Sequence, residues 1–129
     1  MSRRPYVREL PRTTWWLKNG RYKRYIAREI TCIFIGVYTA VLSFGVKRLS
    51  EGEAAYQGFL DALNHPLFIL FHLLALGFAT YNSITWFGVT PKAIRIQVGE
   101  DFAPDGVVAG AHYAGWIAIS LVVLFMAGI

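Results

Sequence analysis

The sequence predicts an all-α membrane protein with three transmembrane helices, and three observations predict it. Residues 30–46, 62–91 and 106–129 contain no Asp, Glu, Lys or Arg. Each stretch is at or near the length that crosses a hydrocarbon core about 30 Å thick. The composition, 55% hydrophobic with a mean hydropathy of +0.40, exceeds that of an ordinary soluble domain of this size. Basic residues are also distributed unevenly. Arg3, Arg4, Arg8, Arg12, Lys18, Arg21, Lys23, Arg24 and Arg28 precede the first span, against Lys47 and Arg48 in the first connection and Lys92 and Arg95 in the second. The positive-inside rule then puts the N-terminus in the cytoplasm. The first connection, with Glu51, Glu53 and Asp61, is external, the second is internal, and Ile129 is external.

The 129 residues read as one membrane-anchor domain, with a basic and aromatic arm at 1–24 and spans at about 25–48, 66–88 and 106–128. What lies outside the spans is too short for a separate catalytic domain, so any chemistry is shared with partners. The single Cys32 excludes an internal disulfide and leaves no cysteine set for zinc or an iron–sulfur cluster.

The arm is rich in arginine, but it lacks the apolar core and the serine content of a cleaved targeting segment. Nucleic-acid binding is a weaker reading of the same charges. Trp15, Trp16, Tyr22 and Tyr25 interleave with them, which suits rings at headgroup level and cations facing anionic lipid or a docked protein. The first span begins within residues 22–29, where Arg24, Arg28 and the aromatic residues keep helical spacing without Gly or Pro. Asn64, His65 and Pro66 open the second span, with Pro suited to the first helical turn. Pro91 closes it, and residues 104–106 open the third.

Small residues recur at every fourth position: Gly36 and Ala40 on the first span, Ala75, Ala79 and Ser83 on the second, Gly106, Gly110, Ala114 and Ala118 on the third. Such rows let helix backbones approach closely, because association in lipid relies on van der Waals packing. Rows on all three spans point to a bundle with helical partners.

Arg28 and Glu29 stand at the rim of the first span, and a carboxyl group there is costly and usually functional. Arg28 is the expected partner of that carboxylate. Asn82 and Trp86 are one turn apart on the second span and share a face at the same depth. If the first two spans are neighbours, a carboxylate, a guanidinium, an amide and an indole N–H converge on one pocket. That set suits the two carbonyl oxygens of a quinone, and a carboxyl group in contact with a quinol is an acid–base relay. The plainer reading makes Trp86 an interface anchor, Asn82 a helix-to-helix hydrogen bond and Arg28 a phosphate contact. Spacing leaves both open.

The residues resemble a known family. Pro5-Tyr6-Val7-Arg8, Thr14-Trp15-Trp16, Tyr22 and Tyr25 leading to Arg28-Glu29, Pro66, Thr85-Trp86-Phe87 and Pro91-Lys92-Ala93 occur in the order and at the intervals of the C subunit of haem-free enterobacterial quinol:fumarate reductase. The resemblance runs from the arm to the third span. It implies an anchor in the bacterial inner membrane, paired with a second three-span chain, the D subunit. It also implies that the anchor holds the flavoprotein, or A, and iron–sulfur, or B, subunits on the cytoplasmic face. Menaquinol would be oxidised near the inner leaflet, and FAD and iron–sulfur clusters would belong to the partners only. By the same resemblance Arg28 and Glu29 line the quinone site, Glu29 receives protons from quinol, and Trp86 lies beside the pocket.

Asn82 departs from the histidine of that pattern; it can hydrogen-bond a quinone oxygen but cannot take up a proton. His72 and His112 are additional, and intramembrane histidines are the raw material of b-type haem sites. Helical rise puts these two about 13 Å apart in depth, too far to grip one iron, so no haem is expected within the chain. Either could still pair with a histidine of another subunit. The alternatives are therefore a haem-containing succinate:quinone oxidoreductase anchor or, in another class, a small membrane transporter or assembly anchor. A transporter should show a broken span or further buried charges, and neither occurs in 30–46 or after Asp105.

Overall fold

A computed structural model describes residues 9–129. Arg3, Arg4 and the Pro5-Tyr6-Val7-Arg8 motif lie outside the described residues. A short 3-10 helix, Trp15–Lys18, leads into α1, Gly20–Ser50. Then follow α2, Glu53–Leu63, and α3, Pro66–Ala93. A hairpin of β1, Gln97–Val98, and β2, Asp101–Phe102, connects to α4, Asp105–Met126. α1, α3 and α4 are long and apolar enough to cross a membrane.

Local chemistry accounts for the helix ends. Asn19 caps α1 by accepting the Arg21 N–H at 3.0 Å, so the helix starts ahead of the expected 22–29 window. Pro66 occupies the first turn of α3, where its missing N–H would have had no partner, and His65 Nδ1 accepts the Leu67 N–H at 3.3 Å. Pro91 does not close α3, contrary to the expectation from sequence. It lies inside the last turn, and the helix continues to Ala93, where the Ile94 N–H still bonds Thr90 O at 2.8 Å. A proline forfeits only its own bond to the carbonyl four residues back, and one lost bond near an end does not stop a helix packed on its neighbours.

The first connection is not a plain loop. Gly52 turns the chain at φ 119°, a conformation L side chains rarely adopt, and α2 folds back on the end of α1. Its Phe59 ring lies on the open face of Gly45, where an added Cβ would meet the ring at 2.6 Å. In the second connection, Gly99 at φ 68° takes the first central position of a two-residue turn, the place a type II′ hairpin reserves for glycine.

α3 is the middle element: it packs on α1 along one side and on α4 along another, while the backbones of α1 and α4 do not approach each other among the described residues. The α1–α3 seam holds Phe34 against Phe78 and Tyr38 against Phe71, with centroids 4.4 and 5.9 Å apart. The α3–α4 seam gathers Tyr113, Trp116 and His112 around Phe87. The small-residue rows divide accordingly. Ala75 on α3 is buried, whereas Gly36 and Ala40 on α1, and Gly106, Gly110, Ala114 and Ala118 on α4, are exposed. Among the described residues few apolar side chains are buried, Ala75, Pro91 and Val108, while Ile33, Leu67, Ile119 and Phe125 are each more than half exposed. In water such a surface would collapse; in a bilayer it is solvated by acyl chains or by partner helices.

Candidate functional site

α1 and α3 bring Arg28, Asn82 and Trp86 together at the end of the bundle that carries the arm. Arg28 extends from α1 across the seam, and its guanidinium carbon stands 4.8 Å from the Trp86 ring centroid and 5.7 Å from that of Tyr25. Both are within cation–π range. The Nε of Arg28 is buried and has no hydrogen-bond partner among the described residues. Trp86 remains 46% exposed, and its indole N–H donates to none of them.

Asn82 is tied to α1. Its Nδ2 donates to Thr31 Oγ1 at 2.9 Å and approaches Cys32 Sγ at 3.4 Å, and Thr31 Oγ1 in turn donates to Arg28 O at 2.6 Å. Asn82 is thus the helix-to-helix hydrogen bond of the plainer reading, while its Oδ1 accepts nothing from the described residues. Thr31, 2% exposed, is the residue that sequence reading missed. Its signal was available: a hydroxyl one turn beyond Arg28, on the same face.

Glu29 does not join this cluster within the chain. Neighbouring helix positions diverge by about 100°, so with Arg28 aimed at α3 the Glu29 side chain leaves the seam and is exposed. The expected Arg28–Glu29 pair is not formed. The ion pairs among the described residues are Lys47–Glu51 and Arg48–Glu51, at the far end of α1.

The two histidines lie at different depths. His72 sits among Phe68, Phe71 and Tyr38 on the α1–α3 seam, with Nδ1 buried and unpartnered among the described residues. His112 packs against Phe87, and its Nδ1 is 2.8 Å from Val108 O of its own helix. Phe87 lies about 22 Å of helical rise beyond His72. The separation exceeds the roughly 13 Å expected from the sequence because His112 packs at the level of Phe87, and the imidazoles cannot share one iron within this chain.

Residues 1–128 match the family model for the C subunit of fumarate reductase. Relatives bearing the same description include the protein of Mycobacterium tuberculosis strain H37Rv, 35% identical over 112 residues, which cover 87% of this chain and 89% of the relative. The protein of Vibrio cholerae serotype O1 strain El Tor Inaba N16961 is 34% identical over 125 residues, 97% of this chain and 98% of the relative. That of Proteus vulgaris is 33% identical over 126 residues, 98% of this chain and 95% of the relative. With a match spanning all three apolar helices, the chain belongs to the family of fumarate reductase C subunits.

Proposed function

We propose that this chain is the membrane anchor of a quinol:fumarate reductase, and that it contributes part of the menaquinol oxidation site. The observation that carries the site is the Arg28–Trp86 contact across the α1–α3 seam. It leaves a buried guanidinium N–H, an indole N–H and the Asn82 Oδ1 without partners among the described residues, all at one level of the bundle. Two donors and one acceptor fit a substrate that presents carbonyl oxygens when oxidised and hydroxyls when reduced.

In this reading, the Arg28 and Trp86 donors orient the ring oxygens, and Asn82 Oδ1 accepts a quinol hydroxyl. Glu29 takes the released proton on the outer side of α1, where its exposed position gives that proton a way out. Flavin and iron–sulfur clusters in the two soluble partners supply the electron path to fumarate.

The D subunit is proposed to cover the small-residue faces of α1 and α4, where backbones are open to close approach. Family membership supports the bacterial inner membrane as its location, and the excess of cations on the arm favours the arm and the soluble partners on the cytoplasmic side. Tagging the C-terminus, extracting in mild detergent and identifying stoichiometric partners tests this. A flavoprotein, an iron–sulfur protein and a second three-span chain are expected. Recovery of the chain alone or with unrelated partners would overturn the assignment.

A further inference from the structure

We propose that the groove between α1 and α3 at the arm end binds one anionic phospholipid, its phosphate held by Arg21, Arg24 and Lys92 and an acyl chain lying along α3. Two cavities, each of about 490 Å³, line up there. The one at the arm end is walled by Arg21, Arg24, Arg28 and Lys92, and no carboxylate lines it. None of these four cations is paired with an acidic side chain among the described residues. Like charges crowded into one cavity favour an anion, and guanidinium groups match phosphate oxygens in fork geometry. Gly88 keeps the floor open: nothing lies within 4 Å of the position its Cβ would take.

The second cavity is apolar and lies at the adjoining level toward the bundle centre, walled in part by Ala27, Thr31, Leu74, Phe78 and Tyr81. On α3, Leu74, Phe78, Tyr81, Thr85, Gly88 and Lys92 follow one another at alternating four- and three-residue steps, so they form one stripe. Arg24, Ala27 and Thr31 repeat that spacing on α1. The cavities share no lining residue but follow one another along this α3 stripe, and the proposed lipid spans both. From Thr85 to Leu74 the rise is about 16 Å, close to half of a hydrocarbon core. The groove thus has a cationic head and an apolar tail one leaflet deep. A neutral quinone head at Arg28 leaves the charges of Arg21, Arg24 and Lys92 unanswered, an acidic loop of a soluble partner cannot fill the apolar length, and free phosphate leaves it empty.

The test is lipid and phosphorus analysis of the intact complex purified from membranes and washed in detergent, followed by refilling with phosphatidylglycerol or phosphatidylcholine. Wild type is expected to retain anionic phospholipid and to refill with phosphatidylglycerol in preference to phosphatidylcholine. Arg24→Gln with Lys92→Gln should weaken that binding about tenfold or more, the loss expected for charge-assisted hydrogen bonds. Gly88→Leu, which fills the floor without changing charge, should weaken it too and decides the matter if the double variant does not assemble. Equal binding of both lipids, unchanged lipid content in the variants, or phosphorus recovered as inorganic phosphate would overturn the proposal. So would release of the iron–sulfur protein with lipid retained, or quinone in place of phosphorus. The readout does not depend on turnover, so its failure is separate from failure of the menaquinol assignment.

Discussion

Asn82 on α3 and Thr31 on α1 lock two transmembrane helices together through one side-chain hydrogen bond of 2.9 Å, and the same hydroxyl donates back to the carbonyl of Arg28. The bond adds to the aromatic packing that sets the rotation of α1 against α3, and that rotation aims Arg28 at Trp86. Removing it with Thr31→Val should cost about 0.6 to 1.7 kcal/mol, the range for interhelical hydrogen bonds in membranes. The expected readouts are a lower Tm of the purified complex and a raised KM for quinol, with Thr31→Ser restoring both. An unchanged Tm and KM would show that the bond orients nothing.

Arg28 and Trp86 separate by substitution. Arg28→Leu should abolish quinol binding while the flavoprotein and the iron–sulfur protein stay attached; dissociation of that soluble pair would instead make Arg28 a docking residue. Trp86→Leu removes an attraction of about 0.5 to 2 kcal/mol, so KM for quinol should rise by about 2- to 30-fold.

Glu29→Gln keeps shape and most hydrogen bonding but cannot exchange a proton. Assembly should be unaffected and quinol oxidation slowed by about a hundredfold or more, as for loss of a general base. Turnover equal to wild type across the pH range would remove Glu29 from the relay.

Gly45 is the contact point for α2. Gly45→Leu would drive a side chain into the Phe59 ring and should destabilise the α1–α2 corner by about 1 to 3 kcal/mol. Faster proteolytic cleavage around Gly52 would report it. Phe59→Ala in the same chain should relieve the clash, and no rescue would place the damage elsewhere.

A reduced-minus-oxidised optical spectrum of the complex should lack b-type haem bands, and His72→Leu should leave it unchanged. Bands that disappear in His72→Leu would show that the buried Nδ1 environment serves an iron shared with a partner chain.

The long apolar helices were legible because hydropathy is a one-dimensional property: twenty or so residues without charge leave a membrane span as the favoured outcome, whatever packs beside it. Pro66 was legible for a similarly local reason, a missing N–H that the first turn does not need. Asn82 and Trp86 could be put on one face from spacing alone. The reach of Arg28 to Trp86, the Thr31 hydroxyl that holds Asn82, and the exposure of Glu29 could not, since each depends on how far α1 is rotated against α3. That angle is set by side-chain packing between the helices, chiefly Phe34 on Phe78 and Tyr38 on Phe71, and not by any periodicity within one of them. Helix α2 escaped for another reason: a short helix is marginal by itself, and Phe59 on Gly45 is a tertiary contact. The sequence by itself determined that three helices are long and apolar enough to cross a membrane. The tertiary structure decided which polar groups meet at the seam and which are left facing outward.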